Sequence, residues 1–309
     1  MRAKITIVGA GNVGAMTAYC LAERGLGDIV LLDIPAARDV ARGKALDILQ
    51  AGPARGYDTA AVGTSSFHDA RNSDIVVVTA GMARKPGMTR EDLVQTNQQI
   101  VSEVVKKALR VSPRAIYIIV TNPLDTMLYQ AKKVSGLPRQ RIFGMAGVLD
   151  SARFCAFIAQ ELGVSSENVH ATVLGGHGDE MVPLTRFCTV AGVPLHELLS
   201  AERIASIVER TRMGGGEIVD LLKTSAYYAP GASIAKMIEA ILYDQKLIAP
   251  VSVCLEGEYG LSDICFGVPV VLGANGVERV IEYKLNAGER RMVMKSVTLI
   301  RKSIQALIP

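Results

Sequence analysis

A histidine between glycines is the residue in this chain best suited to acid/base chemistry, because residues 175–179 read Gly-Gly-His-Gly-Asp. Glycine carries no side chain, so a ligand could approach the imidazole ring of His177 closely. Imidazole is also the side chain that ordinarily gains or loses a proton near neutral pH. The pentapeptide alone leaves two interpretations open, a general acid/base and a histidine that only caps a surface loop.

A glycine-rich turn follows the first apolar run, Ile5–Val8, and reads Gly-Ala-Gly-Asn-Val-Gly. In a dinucleotide-binding turn the first glycine allows the tight turn, the second lets a pyrophosphate approach, and the third lets helix and strand pack closely. The helix that follows would present free N–H groups and a partial positive charge to phosphates. The residues of this turn are Gly9, Ala10, Gly11, Asn12, Val13 and Gly14.

An acidic residue, Asp33, ends the second apolar run, 19 residues after Gly14. A carboxylate there can accept hydrogen bonds from both ribose hydroxyls of NAD and would repel the 2′-phosphate of NADP, although Arg38 leaves some use of NADP open. The glycine pattern alone is weak, but with this strand, helix and acid it predicts dinucleotide binding. The alternative is a dinucleotide fold that has lost its ligand.

Two further segments end predicted strands, at the edge of the sheet where α/β proteins bind ligands. These are residues 79–81, Thr-Ala-Gly, and residues 120–123, Val-Thr-Asn-Pro. The Asn122 amide could offer a donor and an acceptor to a nicotinamide or a substrate. A simple Asn-Pro turn explains the same residues equally well.

Residues 81–90 predict a glycine- and proline-containing loop, followed by a helix that begins near Glu91, and together they suggest an active-site lid at about 81–92. The loop carries three cations, Arg84, Lys85 and Arg90. Most charged loops are merely solvated. Beside a dinucleotide site, however, a cationic lid indicates closure over an anion with exclusion of water.

Asp150 and Arg153 share one face of a predicted helix, since they are three residues apart. They form either an ordinary surface ion pair of small energy or part of a site. In a site, Asp150 would orient His177 and stabilise its imidazolium, and Arg153 would bind a substrate carboxylate in a bidentate fork.

The first half of the chain alternates short apolar runs with segments of helical spacing, which predicts a Rossmann doubly wound parallel sheet of the α/β class. The second half has longer helices around a strand-rich interval near 251–273, which predicts an α+β substrate or catalytic domain. We place the boundary so that 1–147 forms the dinucleotide-binding domain and 148–309 the catalytic domain. Predicted strands are 5–8, 29–32, 60–62, 75–78, 115–120 and 142–145, and predicted helices are 11–24, 39–50, 91–110, 151–162, 200–222, 233–243 and 287–307.

Composition narrows the class of protein. Of the 309 residues 49% are hydrophobic and 21% charged, which is enough for a large core. No apolar run approaches the ~20 residues that span a bilayer, and the first run is too short for a signal peptide. The net charge of +4 comes from scattered cations, unlike a nucleic-acid surface. We expect a cytoplasmic protein that binds neither nucleic acid nor membrane.

The cysteines lie far apart and include no Cys-x-x-Cys pair, which predicts buried thiols in a reducing cytoplasm. A zinc site would need clustered cysteine or histidine ligands, so we expect no metal. The five cysteines are Cys20, Cys155, Cys188, Cys254 and Cys265.

Together these motifs resemble those of the lactate/malate dehydrogenase family over nearly the whole chain. The sequence of residues 81–90, Gly-Met-Ala-Arg-Lys-Pro-Gly-Met-Thr-Arg, resembles the malate dehydrogenases of the lactate dehydrogenase-like type. The resemblance implies NAD as the cofactor, (S)-malate and oxaloacetate as substrates, and His177 as the proton acceptor, oriented by Asp150. It also implies Arg153 on the C1 carboxylate and Arg90 on the reacting oxygen.

The resemblance further implies a cis peptide before Pro123. It matches several residues to cofactor contacts of the family, and Asn122 also to a substrate contact. The matched cofactor residues outside the glycine turn are Asn97, Val120, Thr121 and Asn122.

The resemblance assigns the choice of substrate to Arg84, where lactate-specific relatives have an uncharged amide. A guanidinium there needs a second carboxylate, which malate and oxaloacetate have and lactate and pyruvate lack. Closing the lid over lactate would bury an unpaired cation at a cost of about 3–5 kcal/mol. That corresponds to about two to four powers of ten in kcat/KM.

Two other functions remain open at this point. A lactate or other 2-hydroxyacid dehydrogenase is distinguished by an assay of pyruvate against oxaloacetate. A non-catalytic dinucleotide-binding sensor would lack the proton-transfer residue or the anion-binding arginines, and both sets are present. An NAD-dependent glycosidase would need a metal-binding Cys/His arrangement.

The segment 39–50 carries more apolar residues than one face of a sheet needs. Similar helices form subunit contacts in the family, so we expect a homodimer or homotetramer. The apolar residues of this segment are Val40, Leu46, Ile48 and Leu49.

Overall fold

The structure, a computed structural model, describes residues 2–82, 90–178 and 180–308. Residues 90 and 91 are described by their backbone alone. Arg84, Lys85 and the side chain of Arg90, together with most of the predicted lid, therefore lie outside the described residues.

Short strands and longer helices alternate through the first half, and a long antiparallel hairpin dominates the second. The strands are β1 (Lys4–Val8), β2 (Asp28–Leu32), β3 (Ala61–Thr64), β4 (Ile75–Val78), β5 (Ile116–Ile119), β6 (Ile142–Gly144), β7 (Val169–His170), β8 (Val173–Leu174), β9 (Val182–Pro183), β10 (Thr189–Val190), β11 (Val193–Pro194), β12 (Leu247–Glu256), β13 (Ser262–Gly273) and β14 (Gly276–Val280). The helices are α1 (Asn12–Glu23), α2 (Arg38–Arg55), α3 (Arg90–Val111), α4 (Leu124–Ser135), α5 (Gly147–Leu162), α6 (Leu195–Leu198), α7 (Ala201–Leu222), α8 (Tyr228–Leu242) and α9 (Ala287–Gln305).

A parallel sheet in the order β3-β2-β1-β4-β5-β6 forms the first half. Strands β4 and β5 are buried along their whole length, as continuous apolar runs covered by helices on both faces should be. The order reverses between β1 and β4, so the carboxyl ends of these two strands form the edge where α/β sheets bind ligands. The predicted Rossmann sheet is confirmed, and all six predicted strands end within two residues of the observed ones.

The second half does not build a large sheet of its own. The order of the central sheet continues β6-β12-β13-β14, and β12 joins β6 antiparallel through the pair Ser252 and Gly144. A Cβ on Gly144 would lie 3.2 Å from the Ser252 Cβ, so the small residue lets the two strands approach. One nine-stranded sheet thus runs through both halves of the chain.

Helix α4 has no counterpart among the predicted helices. It begins directly after Pro123, and most of its first eight residues are buried. Its buried apolar residues nevertheless recur at helical spacing, at 124, 127, 128 and 131. Residues 120–123 were considered only as a strand end or an Asn-Pro turn, and the helical pattern beyond them was not followed.

The prediction for the cysteines is wrong in one respect. Cys254 and Cys265 form a disulfide, whereas Cys20, Cys155 and Cys188 are free. The two bonded residues lie directly opposite each other on β12 and β13. Their 11-residue separation belongs to a hairpin, and the spacing alone did not reveal that register.

Among the described residues, no helix is both long enough and apolar enough to cross a membrane.

Candidate active site

The turn after β1 has the backbone geometry that its glycines predict. Gly9 has a φ of +113°, and a Cβ there would lie 2.5 Å from the Oγ1 atom of Thr79. A Cβ on Gly14 would lie 1.9 Å from the carbonyl oxygen of Gly9, so glycine at this position lets α1 pack against the turn. A Cβ on Gly11 would meet no atom of the described residues within 4 Å. The fold itself therefore needs glycine at the first and third positions and leaves open space at the second.

The N-terminus of helix α1 lies at the open space beside Gly11. Its N-cap residue, Gly11, makes no side-chain capping bond, so the N–H groups of the first turn, including those of Asn12 and Val13, are available to an anion. Space for a pyrophosphate in front of a helix N-terminus is the arrangement that a dinucleotide requires.

Asp33 stabilises the same turn from the end of β2. Its Oδ2 atom accepts a hydrogen bond from the N–H of Ala10 at 2.6 Å, and its Oδ1 atom accepts one from the N–H of Ile34 at 2.8 Å. Lys44 on α2 donates to the carbonyl oxygen of Ala10 at 2.7 Å. Each carboxylate oxygen can accept a further bond, so Asp33 retains the capacity to bind ribose hydroxyls. The glycine turn and this acid together fit a dinucleotide.

The segments after β4 and β5 are joined by side chains. Asn97 on α3 is 1% exposed. Its amide accepts from the N–H of Met82 at 2.7 Å and donates to the carbonyl oxygens of Met82 at 3.1 Å and Asn122 at 2.7 Å. Thr121 Oγ1 donates to the carbonyl oxygen of Ala80 at 2.6 Å. The amide hydrogens of Asn97 are thus used within the protein, which leaves only its oxygen able to accept another bond.

Asn122 ends this strand-end segment with an exposed side chain, and Val120 before it is half-buried. The peptide between Asn122 and Pro123 is cis, as the resemblance implies.

Two of the predicted site residues, His177 and Arg153, converge on the carboxylate of a third, Asp150. His177 Nδ1 lies 2.9 Å from Asp150 Oδ2, and the nearest guanidinium nitrogen of Arg153 lies 3.6 Å from Asp150 Oδ1. Asp150 and Arg153 both lie on α5, so the predicted helical pairing is confirmed. The side chains are 2%, 11% and 19% exposed for Asp150, Arg153 and His177. This is a largely desolvated ionic cluster, in which electrostatic interactions are stronger than in water.

The hydrogen bond to Asp150 selects the tautomer of His177. An ionised carboxylate only accepts hydrogen bonds, so Nδ1 carries the proton and the Nε2 atom of the neutral ring is free to accept another. Burial lowers the pKa of His177, but the carboxylates of Asp150 and Asp125 outweigh burial and hold the pKa above its usual value. Such an imidazole can take a proton from a ligand hydroxyl and remain stable as a cation.

The loop that carries His177 is held by residues that the sequence analysis missed. Gly175 exchanges two backbone hydrogen bonds with Gly267 of β13, and the N–H of Gly176 donates to Ser296 Oγ on α9 at 2.9 Å. The N–H of His177 donates to Asp125 Oδ2 on α4 at 3.0 Å. Asp125 follows the Asn-Pro pair by two residues, which is the one sequence signal that could have indicated it.

Helix α7 leaves space for the side chain of Arg153 at Gly214. A Cβ on Gly214 would lie 2.4 Å from the Arg153 Cδ atom, so only glycine leaves this side chain in its observed place. The three consecutive glycines at 214–216 carried no recognisable meaning in the sequence.

The structure thus brings the predicted residues into two groups. One, at the carboxyl ends of β1, β2 and β5, contains the glycine turn, Asp33 and Asn122. The other contains Asp150, Arg153 and His177. Asp125 connects them, since it follows the Asn122 turn in the chain and contacts the His177 loop.

Comparison with known proteins agrees with this architecture. Residues 3–144 match the lactate/malate dehydrogenase NAD binding domain, and residues 147–308 match the alpha/beta C-terminal domain of the same family. The malate dehydrogenase of Roseiflexus sp. (strain RS-1) is 56% identical over 308 residues, which cover 99% of each chain.

Two solved structures have nearly the same fold. The malate dehydrogenase of Cryptosporidium parvum superimposes with a TM-score of 0.95 at 42% identity, covering 99% of this chain and 98% of that one. The lactate dehydrogenase of Cryptosporidium parvum, complexed with lactic acid and nicotinamide adenine dinucleotide, gives a TM-score of 0.94 at 40% identity with the same coverage. The backbone therefore does not separate the two activities. From the full-length match, the chain belongs to the lactate/malate dehydrogenase family, and within it to the malate dehydrogenases of the lactate dehydrogenase-like type.

Proposed function

We propose how this chain, an NAD-dependent malate dehydrogenase, uses its residues to interconvert (S)-malate and oxaloacetate. His177 is the general acid/base, Asp150 orients it, and Arg153 binds the C1 carboxylate of the substrate. The observation that carries the proposal is the buried contact of 2.9 Å between His177 Nδ1 and Asp150 Oδ2. That contact leaves Nε2 as the acceptor for the C2 hydroxyl proton.

In malate oxidation, neutral His177 takes the C2 hydroxyl proton and becomes an imidazolium next to Asp150. The bound cofactor would supply the acceptor for the hydride that leaves C2. In the reverse direction the imidazolium returns its proton to the carbonyl oxygen of oxaloacetate. Because Asp150 is buried and ionised before the proton arrives, the charge that stabilises the imidazolium needs no reorganisation.

Guanidinium groups complete the proposed substrate site. Arg153, with its side chain largely buried and close to Asp150, would form a bidentate pair with the C1 carboxylate. Arg90 would polarise the reacting oxygen, Arg84 would pair with the C4 carboxylate, and Asn122 would hydrogen-bond the substrate. The roles of the two lid arginines rest on the sequence, since their side chains lie outside the described residues.

We assign the cofactor contacts to the glycine turn, Asp33 and the strand-end segment. Gly9, Gly11 and Gly14 shape the turn for the pyrophosphate, which would be bound by N–H groups of Asn12 and Val13. Ala10 would contribute through the turn itself, because its N–H donates to Asp33. Asp33 would accept the ribose hydroxyls. Residues of the strand-end segment, Asn97, Val120, Thr121 and Asn122, would contact the nicotinamide half.

The experiment that tests the acid/base role is His177→Asn. We expect kcat to fall by about three powers of ten or more, because no other group can transfer the proton at that position. The affinity for NADH, measured by fluorescence titration, should change little. Turnover close to wild type would show that the general acid/base is another residue.

Substrate choice is tested separately with Arg84→Gln. We expect the ratio of kcat/KM for pyruvate to that for oxaloacetate to rise by about two powers of ten or more, because the amide needs no second carboxylate. An unchanged ratio would place the discrimination elsewhere. A wild-type preference for pyruvate would instead support the alternative function, a lactate dehydrogenase.

A homodimer or homotetramer is the proposed assembly. Leu46 and Leu49 lie three residues apart on α2 and are 53% and 45% exposed, and Val40 is also exposed, whereas Ile48 packs into the core. Exposed apolar residues on one helix support a subunit contact. Sedimentation of wild type and of Leu46→Glu tests this, and a wild-type monomer would contradict it.

The domain division at 147/148 and the cytoplasmic location also remain proposals. Family matches that end at 144 and begin again at 147 support the division, and limited proteolysis tests it. Three free thiols support a reducing compartment, whereas the pair Cys254 and Cys265 does not. Cell fractionation tests the location.

A further inference from the structure

Asp125 is a buried carboxylate that the proposed mechanism does not use. It is 6% exposed and lies in the first turn of α4. Its Oδ1 atom accepts a hydrogen bond from Ser252 Oγ at 2.6 Å, and its Oδ2 atom accepts one from the N–H of His177 at 3.0 Å. These described partners are a hydroxyl and an amide, so none of them is a lysine or arginine that would balance a charge on Asp125.

Such a carboxylate does not stabilise the fold. Burial raises the pKa of Asp125 to about 6, although the bonds from Ser252 and His177 act in the opposite direction. An acid whose pKa is raised in the folded state makes that state less stable as the pH rises through this value. Asparagine has nearly the same shape and would avoid the charge. Stability therefore gives no reason for aspartate here, and its neighbour His177 suggests a functional one.

We propose that Asp125 is a positioning residue for the dehydrogenase reaction: it fixes the backbone of His177 and supplies a second negative charge that stabilises the imidazolium. This inference rests on the proposed acid/base role of His177. Asp150 holds the ring from α5, and Asp125 holds the main chain from α4. Ser252, fully buried on β12, in turn orients the Asp125 carboxylate.

The charges around the two groups support this division of roles. The charged groups that act on the His177 imidazole include Asp150 and Arg153 from α5 and Asp125 from α4; both carboxylates raise the pKa of His177, and Arg153 lowers it. Glu180 lies on the His177 loop itself, beside Gly178. The charge of His177 lowers the pKa of Asp125, and the charge of Asp150 raises it. Two carboxylates around one imidazole thus favour the protonated ring.

The first test is Asp125→Asn, in which the amide oxygen still accepts the His177 N–H but the charge is gone. The chain has only four histidines, so NMR can follow each ring through a pH titration, with His177→Asn as the assignment control. We expect the pKa of His177 to fall by about one unit, the usual effect of a neighbouring charge. The alkaline limb of oxaloacetate reduction should move to lower pH by the same amount, without a lower Tm.

Further variants separate the two contributions. Asp125→Ala removes both the charge and the acceptor, so we expect kcat to fall about tenfold further than in the asparagine variant. Thr126→Val is the matched control. Thr126 is the next residue of α4, is 2% exposed and hydrogen-bonds Ser303 rather than the His177 loop. This variant should leave the His177 titration unchanged.

A His177 pKa and an alkaline limb that are unchanged in Asp125→Asn would overturn the inference. So would an equal shift in Thr126→Val, since that would indicate a general effect of perturbing α4. If Asp125→Ala fails to fold, the asparagine variant still decides. Full turnover by His177→Asn would refute the proposed function instead, so the two failures are distinguishable.

Discussion

The chain contains two glycine-rich loops, and they work in opposite ways. In residues 9–14 the glycines are needed because they have no Cβ atom. At Gly9 and Gly14 this permits close backbone contacts, and at Gly11 it leaves space for a ligand. In residues 175–178 the proposed chemistry belongs to a side chain, and the surrounding N–H groups are bound by groups from α4, α9 and β13. The geometry of the first loop depends mainly on its own backbone. The second functions only when remote elements hold it.

The most severe way to break the cofactor loop is Gly14→Ala. The new Cβ would lie 1.9 Å from the Gly9 carbonyl oxygen. Because the contact is with backbone and not with a flexible side chain, we expect a loss of stability of more than about 3 kcal/mol. Gly11→Ala is the matched control, because its Cβ meets open space. That variant should unfold like wild type in urea but bind NADH about tenfold more weakly. Equal stability of both variants would contradict the comparison.

The second loop is tested with Asp150→Asn. The amide can donate to Nδ1 and stabilise the other tautomer, so we expect kcat to fall by about two to four powers of ten with little change in NADH affinity. Asp150 also raises the pKa of His177. Without the charge of Asp150 the pKa of His177 should fall. Oxaloacetate reduction, which needs the imidazolium, should then be lost at a lower pH. A stopped-flow pH profile measures both effects, and an unaltered profile would refute the role of Asp150.

A smaller effect is expected at Gly214, where the position of Arg153, the proposed substrate ligand, depends on the absence of a side chain. In Gly214→Ala the Cβ would lie 2.4 Å from Arg153 Cδ and displace the guanidinium, so we expect the KM for malate to rise about tenfold with kcat less affected. Gly215→Ala, whose Cβ meets no described atom within 4 Å, should leave KM unchanged and stabilise α7 by up to about 1 kcal/mol. Similar KM values in both variants would argue against this contact.

Much of the fold could be predicted because its signals are local. The apolar runs 75–78 and 142–145 match β4 and β6 closely, since a strand covered on both faces must be apolar throughout. Helix α4 was missed although its apolar residues have helical spacing, because the Asn-Pro pair before it was considered only as a strand end or a turn. The pairing of Cys254 with Cys265 was missed because cross-strand register depends on the hairpin and not on cysteine spacing.

The candidate site divides in the same way. Asp150 and Arg153 were recognisable as a helical pair, since positions three apart share a face in any α-helix. Asp125, Ser252 and Gly214 were not, because each acts through a partner that is distant in the sequence.

By itself, the sequence determined the parallel sheet, the glycine turn and the types of side chain available for proton transfer and anion binding, because periodicity and short-range spacing encode these directly. Only the tertiary structure decided which carboxylates face His177, which nitrogen of its ring is free and where Arg153 finds space. Those outcomes depend on burial and on electrostatic contacts across elements up to 127 residues apart, as between Ser252 and Asp125, and no local pattern records them.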